Sequence, residues 1–300
     1  GRGGASAASD VYESQVVGSA AHSQVLPVAR QQRRGAGLAT LAYVANLYAS
    51  VSGYGYWDRV LAPSWLEHTW SLAIEEQFYV LWPLVALYVL TRGAPQTAGV
   101  RRLGLVALAG AGASAGLMIV GSFAGASTER LYLGTDTRVA AILLGAWAAC
   151  WQRSGRPTPT GGARTALAVA SVAGVALLAV AWTQLEGTSD LLYRGGLLAC
   201  GLAGLAVIAD VTTQGRSFVA RPLALAPPCW LGTISYGLYL WHWPIFQYLR
   251  PGRFGLAGWS LVAVRIGASI VVAIASLVLL ERPVLERRWP VPLAPLVPVG

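Results

Sequence analysis

Between Trp70 and Pro83 the chain reads Trp-Ser-Leu-Ala-Ile-Glu-Glu-Gln-Phe-Tyr-Val-Leu-Trp-Pro, so Ser71, Glu75, Tyr79 and Trp82 recur at i, i+4, i+8 and i+11. That spacing sets a hydroxyl, a carboxylate and a phenol on one face of a helix. Such a seam is suited to orienting a substrate hydroxyl and handling its proton. Glu75, Ser71 and Tyr79 are therefore the candidate catalytic residues. The plainer alternative leaves Glu75 and Glu76 at interface depth, paired with arginines.

Further candidates lie elsewhere. Thr135-Asp136-Thr137-Arg138 opens another apolar segment. Asp136 and Arg138 point in different directions on a helix, so each is expected to meet a different span, and Arg138 with Glu75 is the expected pair. A charged helix mouth is the alternative. His242 stands between Trp241 and Trp243, followed by Pro244; it is either a member of an aromatic belt or a substrate contact. His68, just ahead of the seam, is either a substrate contact or a solvated loop residue. His22 receives no role. The three histidines are too far apart for a metal site, and no phosphate-binding loop, Gly-x-Ser-x-Gly elbow or Cys-x-x-Cys is present. Cys150, Cys200 and Cys229 have no framework spacing and read as small apolar residues.

The elements that must position these groups are membrane spans. Of 300 residues, 55 % are hydrophobic and only 12 % charged, about half the charged share of a soluble protein. A spanning helix needs about 20 largely apolar residues. Eight segments qualify: 36–52, 70–90, 103–124, 135–151, 165–182, 191–209, 230–249 and 256–280, the first and fourth being short or interrupted. The expected fold is an all-α integral membrane protein with about eight transmembrane helices. Residues 1–35 form an unstructured leader, 36–288 the transmembrane domain and 289–300 a proline-rich tail.

The net charge is +9, and every basic residue is arginine. The arginines fall in gaps between apolar runs, the membrane pattern, which argues against nucleic acid as a partner. Arg30, Arg33 and Arg34, then Arg92, Arg101 and Arg102, then Arg153, Arg156 and Arg164, then Arg216 and Arg221, then Arg282, Arg287 and Arg288 all fall on one side of an eight-span bundle. The positive-inside rule makes that side cytoplasmic, with both ends there. The opposite loops hold Arg59, then Glu129 and Arg130, then Glu186 and Asp190, then Arg250 and Arg253, and only the last of these loops runs against the rule.

These segments together resemble the acyltransferase 3 family of integral-membrane O-acyltransferases. Trp70 to Pro83 is similar to its Ser-Leu-x-x-Glu-x-x-x-Tyr signature. Tyr43-Val-Ala-Asn46, His68-Thr69, Asp136-Thr-Arg138 with Gly145, Ile234-Ser-Tyr236 through Trp241-His-Trp-Pro244, and Glu281-Arg-Pro283 follow in the family's order. The resemblance covers roughly residues 38–288. It implies transfer of an acyl group, acetyl in the usual case, from an acyl-CoA co-substrate to a hydroxyl of a cell-envelope or secondary-metabolite sugar. It implies no bound cofactor, and substrate-binding roles for His68, Asp136, Arg138, Tyr236 and His242. The family carries about ten spans, with an arginine and a catalytic histidine in the first; nothing here matches its first two spans. Arg30-Gln-Gln-Arg33 has the spacing of a family Arg-x-x-Arg motif without its flanks. The chain starts at Gly1, and Met118 is its one methionine, so an N-terminally truncated member is expected, with an inactive remnant as the alternative. A transporter using Glu75, Asp136 and Arg138 is the reading from another class, against which the lack of internal repeats counts.

Overall fold

A computed structural model describes residues 34–51, 65–92, 96–155, 158–214 and 217–286. The expected leader, apart from its last two residues, and the expected tail lie outside them. Every regular element among the described residues is helical. In chain order these are α1 (34–41), α2 (Ala45–Val51), α3 (Thr69–Leu90), α4 (Gln96–Phe123), α5 (Thr128–Leu133), α6 (Thr135–Arg138), α7 (Ala140–Arg153) and α8 (Gly161–Gln184). A π turn at Leu192–Gly196 leads into α9 (Leu197–Gln214), followed by α10 (Ala220–Leu223), α11 (Ala226–Thr233), α12 (Ser235–Tyr248), α13 (Gly258–Ser276) and α14 (Arg282–Leu285).

Five stretches are long and apolar enough to cross a bilayer: Thr69–Leu90, Gln96–Phe123, Gly161–Gln184, Leu192–Thr213 and Gly258–Val284. They coincide with the second, third, fifth, sixth and eighth apolar segments. The other three are helical but broken. The first divides at Tyr43, whose φ of +57° ends α1; the fourth at Val139, between α6 and α7; the seventh at Ile234, between α11 and α12. Backbone freed at such breaks stays inside a membrane only where other groups satisfy it. At Tyr43 the Gln77 side-chain amide of α3 does so, donating to the Tyr43 carbonyl at 2.9 Å.

The main packing runs α4 against α7, α7 against α9 and α9 against α8, with α12 on α13 as a second pair. Lipid supplies no hydrophobic push between helices, so close packing through small residues has to hold them. Ala107, Ala111 and Ala115 form the buried stripe of α4. Gly174 of α8 meets α9 so closely that a Cβ there would come within 2.9 Å of the Ala203 carbonyl oxygen. Gly237 of α12 does the same against α13, 3.3 Å from the Ala273 carbonyl oxygen. Most other large apolar side chains point outward, as a bilayer requires.

Candidate active site

The first turn of α3 is buried and meets the middle of α12. Tyr239 of α12 donates its hydroxyl to the His68 carbonyl at 2.8 Å and shares a hydrogen bond with the Ser71 Oγ. With its own hydrogen committed to His68, the phenol accepts from Ser71. The His68 ring crosses the same contact, its Nε2 lying 3.2 Å from the Leu240 carbonyl. A carbonyl only accepts, so in the neutral ring Nε2 carries the hydrogen and Nδ1 keeps its lone pair. That Nδ1 is buried with no hydrogen-bond partner among the described residues, and so is the indole N–H of Trp241, the residue after Leu240. His242 packs edge-on against His68, ring centroids 5.5 Å apart. It donates from Nδ1 to the Tyr239 carbonyl at 2.6 Å, which leaves Nε2 as an acceptor.

The predicted seam runs outward from this corner. Ser71 is half-buried, while Glu75 and Tyr79 on the same face are exposed. The adjacent stripe, Trp70 and Ile74, is buried against Ala49 and Leu133. Tyr236, one turn before Tyr239 on α12, is exposed as well. Of the predicted residues, the structure thus brings together Ser71, His68 and His242, and sets Glu75 one turn away.

Arg138 does not pair with Glu75. Its guanidinium stands over the rings of Trp70, at 5.6 Å, and Tyr132, at 5.1 Å. The reason is the helical phase of α3: Arg138 approaches the buried Trp70/Ile74 stripe, and Glu75, one residue further round, faces away. Nor does Asp136 meet another span. It takes a two-pronged ion pair from Arg130, six residues upstream across the bend at Gly134, with distances of 3.0 and 2.7 Å. That bend is tight enough that a Cβ on Gly134 would strike the Arg130 guanidinium.

Beside the site runs a polar belt that the sequence motifs do not single out. Asn46 is fully buried and donates to the Leu133 carbonyl at 3.0 Å and to the Thr135 Oγ1 at 2.9 Å. Gln77 donates to the Asn46 Oδ1 at 3.0 Å and accepts from Thr135 at 2.6 Å. The belt joins α2, α3 and α6 and fixes α3 beside α6. Its sequence signal is one side-chain amide in each of two apolar segments, costly in hydrocarbon unless paired. Tyr239 lies within a quoted motif and shows no spacing that marks it.

Fold and site define a helical membrane bundle with a hydroxyl- and imidazole-lined corner, without a metal cluster among the described residues. The chain belongs to the acyltransferase 3 family, whose acyltransferase-domain profile matches residues 30–281. It is 32 % identical over 260 residues to a putative peptidoglycan O-acetyltransferase, YrhL, of Bacillus subtilis, covering 84 % of this chain and 39 % of the relative. It is 35 % identical over 222 residues to the peptidoglycan O-acetyltransferase OatA of Listeria monocytogenes, covering 73 % and 35 %. The O-acetyltransferase OatA of Staphylococcus aureus is 34 % identical over 222 residues, covering 73 % and 36 %. The chain thus spans under two-fifths of the length of these relatives. No solved structure matches it.

Proposed function

We propose that this domain catalyses O-acylation, passing an acetyl group from an acyl-CoA thioester to a hydroxyl of a cell-envelope carbohydrate. The observation that carries the reading is the corner where Tyr239 ties Ser71 to His68, with Glu75 one turn along α3. The names of the relatives support peptidoglycan as the acceptor.

Glu75 takes the proton of the acceptor hydroxyl as that oxygen attacks the thioester carbonyl. The carbon–sulfur bond then breaks and the thiolate recovers the proton. Ser71 and Tyr79, on the same face, orient the reacting oxygens. His68, held as a tautomer with a free Nδ1, accepts from a second hydroxyl of the sugar, and His242 and Tyr236 extend that surface. Arg138 holds an anionic part of a substrate, with the Arg130–Asp136 pair at the rim. The arginine asymmetry supports cytoplasmic ends and a first turn of α3 that faces the far half of the bilayer.

Membranes carrying the protein, given radiolabelled acetyl-CoA and soluble peptidoglycan fragments, should label the fragments. Glu75→Gln should slow transfer by about a hundredfold or more, the usual scale of a lost general base, with the protein still present in the membrane. Transfer at the wild-type rate by Glu75→Gln overturns the assignment of the base. A wild-type protein that labels no hydroxyl acceptor overturns the reaction.

A further inference from the structure

Arg138 also lines a half-open cavity of about 400 Å³ between α4, α7 and α9. Its walls are apolar side chains such as Met118 and Leu144 and the bare backbone of glycines, among them Gly145, Gly201 and Gly204. A Cβ built on Gly145 or Gly204 meets nothing within 4 Å, so both positions open onto empty space and not onto a neighbouring helix. Arg138 is the one charged group among the lining residues.

That guanidinium has two aromatic faces beside it but no hydrogen bond or ion pair from its side chain among the described residues. The nearby hydroxyl of Thr137 is engaged with the Leu131 and Gly134 carbonyls. Asp136, the carboxylate closest in sequence, is taken by Arg130. An arginine inside a bilayer carries a cost of a few kcal/mol, and ring faces offset only part of it. The site is therefore short of one negative charge. A small soluble anion would supply it but leave the hydrocarbon-lined cavity unfilled.

We infer that the cavity binds a lipid whose phosphate headgroup is net anionic, with no cation of its own, its phosphate on the Arg138 guanidinium and one hydrocarbon chain lying along the glycines of α7 and α9. Arginine matches phosphate with paired N–H donors, and basic pockets between transmembrane helices are a recurring form of lipid headgroup site. This deepens the assignment of Arg138 as a substrate-binding group and rests on it. The anionic part that Arg138 holds belongs to an amphiphile, which ties one substrate or its carrier to the membrane within reach of α3.

The test is native mass spectrometry of the purified protein, reconstituted in nanodiscs containing equal parts of phosphatidylglycerol and phosphatidylcholine with the same chains. The wild type should release with one phosphatidylglycerol retained in preference to phosphatidylcholine. Arg138→Gln should lower that retention about tenfold by removing the cation. Gly204→Leu should lower it to a similar degree by filling the cavity while leaving Arg138 in place. Equal retention of the two lipids by the wild type overturns the proposal, as does unchanged retention in Gly204→Leu. Glu75→Gln should lose transfer but keep the lipid, so failure of the catalytic reading and failure of this one give different results.

Discussion

Spacing singles out Ser71 for its place in line with Glu75 and Tyr79, and the structure gives it a partner from outside that line. Tyr239 fixes both Ser71 and the His68 carbonyl, so the α3 turn and the α12 helix share one hydrogen-bonded joint. His68 adds a second joint through Leu240 and keeps its buried Nδ1 without a hydrogen-bond partner among the described residues. A merely structural His68 and one that also receives a sugar hydroxyl differ in what a replacement does. Gln at 68 can donate to the Leu240 carbonyl and still present an acceptor oxygen; Leu can do neither. His68→Leu should raise the KM for the acceptor about tenfold, the scale of one lost hydrogen bond of about 1.4 kcal/mol, and His68→Gln should recover most of it. The KM for the acyl donor should hold steady in both. A parallel rise in both KM values would leave His68 with a structural role only.

Among the elements, the belt of Asn46, Gln77 and Thr135 is what allows a broken first segment to pack against α3. Asn46→Leu keeps the size of the side chain but strips Gln77 and Thr135 of a partner and leaves the Leu133 carbonyl without its donor. Each buried polar group left unpaired costs about 1–3 kcal/mol, so the protein in detergent should melt several degrees lower. An unchanged Tm would show that the belt is not under load. This belt also marks the boundary of what a sequence discloses. The five long spans are legible because a run of about 20 apolar residues has one physical use. The breaks at Tyr43 and Val139 show only as short or interrupted apolar runs and the one at Ile234 not at all, because a left-handed Tyr43, for example, depends on Gln77 reaching it from another helix. The site divides in the same way. The Ser71/Glu75/Tyr79 face follows from helical period alone, whereas the partners of Arg138 and Asp136 depend on the phase of α3 and on the bend at Gly134, which no local pattern encodes.

At the level of the whole molecule, the proposed chemistry calls for the orientation that the arginine clusters predict under the positive-inside rule. Thr160, before α8, and Thr188, after it, are both exposed and lie at opposite ends of that helix. In a chain whose three cysteines are replaced by alanine, a membrane-impermeant maleimide should label Thr188→Cys in intact cells and Thr160→Cys only after permeabilisation. The reverse pattern would turn the bundle over and move the site to the cytoplasmic half. The hydrogen bond from Tyr239 to His68 links groups 171 residues apart in the chain, and this separation governs when the site comes into being. At translation speeds of about 5–20 residues per second, the His68 turn leaves the ribosome roughly 10 to 30 s before its partner. During that interval the early helices can already stand in the bilayer. The corner proposed as the active site is completed only when the α12 segment has been threaded in, so a nascent chain halted before that point is a membrane protein without that corner.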